Sequence, residues 1–223
     1  MDKKYLVLNI EQEYRSDLEN LPWDTPLIKW NDRYVKFLEI RKGTSKHTVR
    51  FIKTKDFAFA IKQTNPISAY FECETFTKLL QKGIHTLIPA GYIFYKKNLF
   101  EKSAEEKESL AFIVTILEAK SIPHSILFKW DFSDSSRKSI YKSVAELLAN
   151  LHFNNIFWGD ASLSNILIKF IKVKDEQGKS HTELKAFLSD SETIQILKKI
   201  SSELIKKDLK RFYDSIKLIR DEY

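Results

Sequence analysis

Residues 158–165 read Trp158-Gly-Asp-Ala-Ser-Leu-Ser-Asn165, and this stretch contains the two polar residues on which the fold prediction depends most. It places Asp160 and Asn165 five positions apart. A helical pattern ending near His152 and a short apolar run precede it, and a second apolar run begins at Asn165. The carboxylate and the amide are therefore predicted to share one loop between a helix and a strand.

This loop has the residue types that phosphoryl transfer needs. An Asp can accept or orient the substrate hydroxyl, and an Asn five positions later can hold a metal ion. The spacing alone is common in proteins, so its weight comes from its place between a helix and a strand. His152 is expected to pack or bond beneath the loop rather than act as a base. The sequence has no Ser-His-Asp or HExxH arrangement.

A second carboxylate, Asp190, follows a predicted hairpin. Apolar runs at residues 165–170 and 186–189 enclose the charged turn Asp175-Glu-Gln-Gly178, which is typical of two paired strands. Asp190 would lie at the mouth of this hairpin, and Mg²⁺ prefers oxygen ligands of this kind. The alternative is that Asp190 only forms a strand-end turn or caps the next helix.

An upstream hairpin is predicted from Val49 to Gln63, and Lys62 stands at the end of its second apolar run. In kinases, a strand lysine binds the α- and β-phosphates while it is paired with a helical Glu. An edge-strand lysine exposed to water is the alternative. The next segment, from Pro66 to Lys82, has helical spacing and ends at Gly83.

Helical phase selects the partner of Lys62. Glu72 falls on one stripe with Phe76 and Leu79, beside the apolar face of the helix. Glu74 aligns instead with Lys78, as a solvent-exposed ion pair would. Glu72 is therefore the predicted partner.

A phosphate-covering turn is predicted before the first hairpin. The stretch Arg41-Lys-Gly-Thr-Ser-Lys-His47 contains Gly43, which permits close backbone approach, and the hydroxyls of Thr44 and Ser45 could hold phosphate oxygens. The stretch has one glycine, so the motif is weak when it stands alone.

The order of elements indicates an α+β chain with two lobes. Strands and one helix come first, including a buried strand over Ser109–Leu117, and helices dominate after Pro123. The helix before the loop would be capped by Asp134 or Ser135, and an amphipathic helix would run from Leu197 to the end. We place the lobes at residues 1–116 and 117–223.

Composition sets broad limits on partners and location. The chain has 223 residues with 43% hydrophobic and 30% charged residues, and its one cysteine, Cys73, points to a reducing compartment such as the cytoplasm. No targeting segment is evident, because the apolar run from Tyr5 to Ile10 is too short for a signal core or a membrane span.

The net charge of +7 admits nucleotides, nucleic acids or phospholipid surfaces as partners. Its lysines alternate with acids along the whole chain, which favours a solvated basic surface and disfavours nucleic-acid binding. The four tryptophans are expected in the core or at a lobe interface.

Several stretches resemble the bacterial lipopolysaccharide-kinase-like family, whose members have a protein-kinase-like fold. They are Leu21-Pro-Trp-Asp-Thr-Pro-Leu27, Trp30, Gly43-Thr-Ser-Lys-His-Thr-Val-Arg-Phe51, Trp158 to Asn165, and Leu188-Ser-Asp-Ser-Glu-Thr193. The resemblance covers most of the chain. It implies ATP and Mg²⁺ as cofactors. It matches Lys62 and Glu72 to the ATP-anchoring pair, Asp160 to the catalytic aspartate, Asn165 and Asp190 to the metal ligands, and Leu117-Glu118-Ala119 to the hinge that receives adenine.

The chain departs from ordinary protein kinases in three ways. Its loop has Trp-Gly-Asp in place of His-Arg-Asp, its metal motif has Asp-Ser-Glu in place of Asp-Phe-Gly, and only residues 191–223 follow Asp190. The resemblance implies a two-lobed protein-kinase-like fold, and the short stretch after Asp190 implies that its C-terminal lobe is reduced. That short stretch also argues against a conventional protein kinase.

The expected function is ATP-dependent phosphoryl transfer to a hydroxyl-bearing acceptor, with a sugar or a glycolipid as the candidate. Asp160 would orient the acceptor hydroxyl. The main alternative is an ATP-binding pseudokinase or regulatory module without turnover, and the net charge alone suggests a third, a nucleic-acid-binding protein.

Overall fold

The computed structural model describes residues 5–40, 46–96, 110–174 and 177–221, and these residues form two compact units. The first unit holds residues 5–40, 46–77, 88–96 and 110–117, and the second holds residues 78–87, 118–174 and 177–221. The chain combines helices with antiparallel sheets, so the predicted α+β class is confirmed. The lobe boundary between residues 116 and 117 stays a prediction.

One antiparallel sheet of six strands organises the first unit. Its strands are β1 (Tyr5–Ile10), β2 (Lys36–Phe37), β3 (Val49–Lys53), β4 (Ala58–Thr64), β5 (Pro89–Lys96) and β6 (Ala111–Ile116). They lie in the order β1-β5-β6-β4-β3-β2. The upstream hairpin predicted from sequence is the β3–β4 pair, in which Lys53 lies opposite Ala58. The predicted strand over Ser109–Leu117 is β6, although Ser109 itself lies outside the described residues.

Aromatic side chains fill the core of the first unit. Trp23, Trp30 and Phe112 are buried, and their ring centroids lie 5.2–6.1 Å apart. The indole N–H of Trp23 donates to the carbonyl oxygen of Leu18 at 2.8 Å, at the end of helix α1 (Arg15–Leu18), so its burial leaves no donor unsatisfied. The core positions expected for these two tryptophans are confirmed, whereas Trp130 of the second unit is 41% exposed.

Helix α2 spans Pro66–Gln81. Asn65 caps its first turn, because Asn65 Oδ1 accepts the backbone N–H of Ser68 at 2.9 Å. Pro66 suits the first helical position, where its missing N–H would have no helical partner. Gly83, at φ +70°, ends the helix in the left-handed conformation that glycine adopts without strain. The predicted helix and its stop are confirmed.

The second unit packs two long helices with two small antiparallel sheets. Its elements are β7 (Ser121–Pro123), α3 (His124–Leu127), α4 (Asp134–Phe153), β8 (Ile156–Phe157), β9 (Ile166–Lys174), β10 (Ser180–Leu188), β11 (Gln195–Ile196) and α5 (Ser202–Asp221). The strands form one sheet in the order β10-β9-β7 and a two-stranded pair of β11 with β8. The apolar face predicted for α4 is buried, and its members are Ile140, Val144, Leu147, Leu148 and Leu151.

Two boundaries differ from the sequence-based expectations. Ser133 caps α4, in place of Asp134 or Ser135, because Ser133 Oγ accepts the backbone N–H of Ser136 at 3.3 Å. The hairpin β9–β10 is also longer than its apolar runs suggested. Its strands continue through charged and polar residues to Lys174 and from Ser180, because backbone pairing does not require apolar side chains.

The last helix begins at Ser202, so the prediction of helix from Leu197 onward is wrong. Asn155 explains the difference. Its carbonyl oxygen accepts the N–H of Leu197 at 2.9 Å, and its side-chain Oδ1 accepts the N–H of Ile200 at 3.1 Å. Because these two N–H groups donate to Asn155, residues 197–201 stay irregular. None of the helices in the described ranges has the length and apolar content needed to cross a membrane.

His124, at the start of α3, is buried against aromatic rings. It is 2% exposed, its ring stacks on Phe212 with centroids 6.3 Å apart, and its Nδ1 has no hydrogen-bond partner among the described residues. Burial disfavours the charged imidazolium and lowers the pKa of His124 from 6.5 to about 4.

We expect His124 to make the chain less stable in acid. Between the two pKa values the unfolded chain binds a proton that the folded chain does not, so the free energy of unfolding falls as the pH drops through this window. The lowered pKa corresponds to about 3 kcal/mol over the full window. Urea unfolding of the wild type and of His124→Phe at about pH 7 and about pH 4 measures the effect. The variant should lose this part of the pH dependence, and an identical dependence in both proteins would contradict the prediction.

Candidate active site

A lysine–glutamate pair lies inside the first unit. Lys62 of β4 donates from Nζ to Oε2 of Glu72 on α2 at 3.0 Å. The two side chains are only 15% and 3% exposed, so water screens their attraction less than it would on the surface. The structure thus pairs Lys62 with Glu72, the residue that helical phase selects over Glu74.

Cys73, the residue after Glu72, is not a candidate nucleophile. Burial raises the pKa of its thiol to about 12, and the nearby carboxylates of Glu74 and Glu11 add to this effect. The thiol therefore stays protonated at neutral pH, and only the thiolate is a nucleophile.

The loop of residues 158–165 brings Asp160 and Asn165 together in the second unit. Asn165 Nδ2 donates to the backbone carbonyl oxygen of Asp160 at 3.1 Å and to its carboxylate Oδ2 at 3.0 Å. A single 3₁₀ turn over Leu163–Asn165 precedes β9 directly. Because the amide nitrogen of Asn165 faces Asp160, its amide oxygen is the atom left to bind a cation.

Asp190 lies two residues beyond the end of β10. The backbone N–H of Ser189 donates to the carbonyl oxygen of Asn165 at 3.0 Å. Asp190 therefore follows β10 at the same end of the β9–β10 hairpin as Asn165. The indole N–H of Trp158 donates to the carbonyl oxygen of Asp190 at 3.3 Å. Asp190 Oδ1 accepts the backbone N–H of Glu192 at 3.0 Å. The strand-end turn considered in the sequence analysis is therefore present, and it holds the carboxylate near the loop.

Asp208 of α5 holds the backbone at the start of the loop, and it is not among the residues predicted from the sequence. Its side chain is fully buried. Asp208 Oδ2 accepts the backbone N–H of Trp158 at 2.9 Å and lies 3.0 Å from Nε2 of His152, and its Oδ1 accepts the N–H of Gly159 at 2.8 Å. His152 bonds beneath the loop, as predicted.

The sequence did carry a signal for Asp208. In the helical pattern of α5, Asp208 lies four positions after Leu204 and four before Phe212, which places a charge on the apolar stripe. A buried carboxylate is tolerated only with partners, so an Asp on such a stripe predicts a hydrogen-bonding role inside the protein.

Gly159 explains why the loop has Trp-Gly-Asp in its sequence. Its φ of +81° is in the region that favours glycine, and a Cβ there would lie 3.1 Å from the carbonyl oxygen of Thr193. A larger residue would be strained and would meet backbone. Glycine therefore lets the 159 N–H reach Asp208 while Thr193 packs against the loop.

Arg211 contacts the Asp160 carboxylate, and no sequence signal separated it from the other basic residues of α5. Its Nε donates to Asp160 Oδ1 at 2.9 Å, and its Nη2 lies 2.8 Å from the same oxygen. The two side chains are 49% and 39% exposed. Asp160 therefore has Arg211 on one carboxylate oxygen and Asn165 on the other.

The predicted adenine hinge lies just beyond β6. The carboxylate of Glu118 pairs with Lys169 of β9, and its backbone carbonyl oxygen accepts the hydroxyl of Ser121 at 2.7 Å. The Glu118 side chain is therefore occupied by a structural ion pair. The predicted phosphate-covering residues Gly43, Thr44 and Ser45 lie outside the described residues.

These features define a protein-kinase-like fold. An antiparallel sheet carries a lysine bonded to a helical glutamate, and a separate unit carries an Asp/Asn loop followed by a hairpin and a further Asp. Solved structures of kinases match the chain in fold, so the predicted fold is confirmed.

One similar structure is WaaP in complex with acyl carrier protein. It is 17% identical, with 95% of this chain and 80% of that chain covered and a TM-score of 0.57. Another is the Rio2 kinase of Chaetomium thermophilum in an ADP/Mg²⁺-phosphoaspartate complex, at 15% identity and a TM-score of 0.55 over 84% of this chain. The chain spans 56% of the length of that Rio2 structure. No family model and no curated protein matches the chain. At these identities the likeness shows the fold alone.

Proposed function

We propose that this chain is an ATP-dependent phosphotransferase that acts on a hydroxyl acceptor. The observation that supports it most is the Asp160 carboxylate, which is held by Asn165 within one loop while Asp190 follows the adjacent strand. Phosphoryl transfer depends mainly on positioning and on electrostatic stabilisation, and these three side chains supply the groups that it needs.

In this proposal Asn165 and Asp190 hold Mg²⁺. The donor set fits the ion, because an amide oxygen and carboxylate oxygens are the hard ligands that Mg²⁺ prefers. The hydrogen bonds from Asn165 Nδ2 to Asp160 leave its amide oxygen to face the cation. The bound ion would neutralise charge on the phosphates.

Lys62 and Glu72 form the nucleotide-anchoring pair of the proposal. Glu72 holds the ammonium of Lys62 from the protein side, so the lysine can present its charge to the α- and β-phosphates in one orientation. Backbone groups of residues 117–119 would receive the adenine, since the Glu118 carboxylate is paired with Lys169. Gly43, Thr44 and Ser45 would cover the phosphates.

Asp160 would orient the acceptor hydroxyl toward the γ-phosphate. The acceptor class rests on the resemblance to lipopolysaccharide-kinase-like proteins, which favours a sugar or a glycolipid. Because one fold can serve many substrates, turnover measured with each acceptor class identifies the acceptor.

Mg-ATP turnover by the whole chain tests the proposal. ADP release should exceed background with water, sugars and glycolipids offered in turn, and Asp190→Ala should abolish it. Thermal unfolding with and without Mg-ATP reports binding separately, because a ligand that binds only the folded state stabilises it, by about 3 kcal/mol at 100 times its Kd. Stabilisation by ATP without turnover on any acceptor would contradict the phosphotransferase and favour an ATP-binding pseudokinase.

A further inference from the structure

Both oxygens of the Asp160 carboxylate are held by side chains from different elements. Arg211 of α5 contacts Oδ1 through Nε at 2.9 Å and Nη2 at 2.8 Å, while Asn165 Nδ2 donates to Oδ2 at 3.0 Å. A carboxylate with donors on both oxygens has one preferred rotation of its plane. Arg211 thus determines where the remaining lone pairs of Asp160 point.

The position of Arg211 follows from the register of α5 along the loop. Residues on successive turns of α5 contact the chain in order from Phe157 to Leu163. Lys207 Nζ lies 5.7 Å from the centroid of the Phe157 ring, and Asp208 accepts the N–H groups of residues 158 and 159. One turn later Arg211 contacts Asp160, and after a further turn Ser215 Oγ accepts the N–H of Leu163 at 3.2 Å. The buried Asp208 fixes this register. The Arg211 contact is therefore set by the helix rather than by a chance surface encounter.

We infer that Arg211 is the positioning residue for Asp160, an inference that rests on the proposed phosphotransferase function. The loop from Asp160 to Asn165 carries no basic residue of its own, so the cation beside Asp160 comes from α5. Arginine suits this task, because its planar guanidinium offers donors in a fixed fork and remains charged.

The same contact offsets a charge problem in the proposed reaction. The acceptor oxygen forms a bond to Pγ, the bond from Pγ to the β,γ-bridging oxygen breaks with its electron pair leaving on ADP, and the hydroxyl proton passes to the Asp160 carboxylate and then to water. An uncompensated carboxylate would repel the phosphoryl group that must approach the hydroxyl. Arg211 reduces this repulsion while it holds Asp160 in place.

Steady-state kinetics of ADP release from Mg-ATP, with water as the acceptor, test the inference. Arg211→Ala should lower kcat about 10- to 100-fold with KM for ATP within about twofold of the wild type, because misplacing a reacting group affects the chemical step. Arg211→Lys keeps the charge without the fork and should recover kcat to within about tenfold. Guanidinium chloride at low, non-denaturing concentration should partly restore Arg211→Ala.

Lys210→Ala is the matched control. It removes the same charge from the adjacent position of α5, where the lysine is exposed and bonded to Asp214, and it should keep wild-type kcat. Thermal unfolding of each variant checks that the fold is retained.

The outcomes separate the inference from the function on which it rests. Wild-type kcat in Arg211→Ala, or an equal loss in Lys210→Ala, would overturn the role of Arg211 while leaving the phosphotransferase intact. Loss of kcat in Arg211→Ala with no recovery by lysine or guanidinium would also overturn positioning. A wild-type rate no higher than that of Asp190→Ala would overturn the proposed function and the inference together.

Discussion

Replacing Asp208 by alanine should lower the free energy of unfolding of the chain by about 3–5 kcal/mol. The buried carboxylate accepts hydrogen bonds from the backbone N–H groups of Trp158 and Gly159 and bonds His152. Alanine would leave these donors without their acceptor, and each buried polar group left unsatisfied costs about 1–3 kcal/mol. Urea unfolding measures the change directly.

Asp214→Ala provides the matched control on the same helix. Asp214 lies six positions after Asp208, its side chain is 41% exposed, and it pairs with Lys210 at 2.7 Å. Its removal should change the stability little, because exposed ion pairs contribute little. Equal unfolding curves for the two variants would contradict the anchoring role of Asp208.

Asp208→Asn refines the same prediction. The asparagine keeps the shape of the side chain and one acceptor oxygen. Its amide nitrogen would replace the second carboxylate oxygen and would face an N–H donor that this oxygen accepts in the wild type. We expect a stability between those of the wild type and Asp208→Ala. Asp208→Asn should also reduce Mg-ATP turnover in the folded chain, because the backbone of residues 158–159 leads directly into Asp160.

The sequence predicted the parts of the site that local periodicity determines. Helical phase chose Glu72 over Glu74 because the stripe of α2 fixes which residues face the interior, and the structure bonds Glu72 to Lys62. Asp160 and Asn165 lie five positions apart in one loop, so their contact likewise depends on residues that are close in sequence. Both predictions depend on contacts that are close in sequence or on one regular element.

The supporting residues could not be predicted in the same way. Asp208 and Arg211 lie about fifty positions after the loop residues they contact, and that pairing depends on how α5 packs rather than on any local pattern. The start of α5 was mispredicted for a similar reason, because Asn155 bonds the N–H groups of Leu197 and Ile200 from a distant position. Long-range polar contacts override a helical hydrophobic pattern wherever they satisfy the backbone first.

Asp160→Asn should lower kcat for Mg-ATP turnover about 10²- to 10⁴-fold, which is the usual contribution of a group that orients and accepts the proton. The substitution keeps the size of the side chain and removes its charge, so Arg211 loses an ion-pair partner and the hydroxyl loses its acceptor. Stabilisation of the folded chain by Mg-ATP should persist, because the proposed contacts to phosphate and metal come from Lys62, Asn165 and Asp190. ADP release and thermal unfolding measure these two effects separately.

Asp131→Asn makes the same chemical change in the same unit. Asp131 is exposed and pairs with Arg137 at 3.2 Å, away from the loop contacts described above, so its turnover should match that of the wild type. If Asp160→Asn retained wild-type turnover while Asp190→Ala lost it, Asp160 would not orient the acceptor and the loop would serve the metal alone. If Asp160→Asn lost Mg-ATP binding as well as turnover, Asp160 would act on the nucleotide, and the separate roles assigned to Asp160 and Asp190 would be wrong.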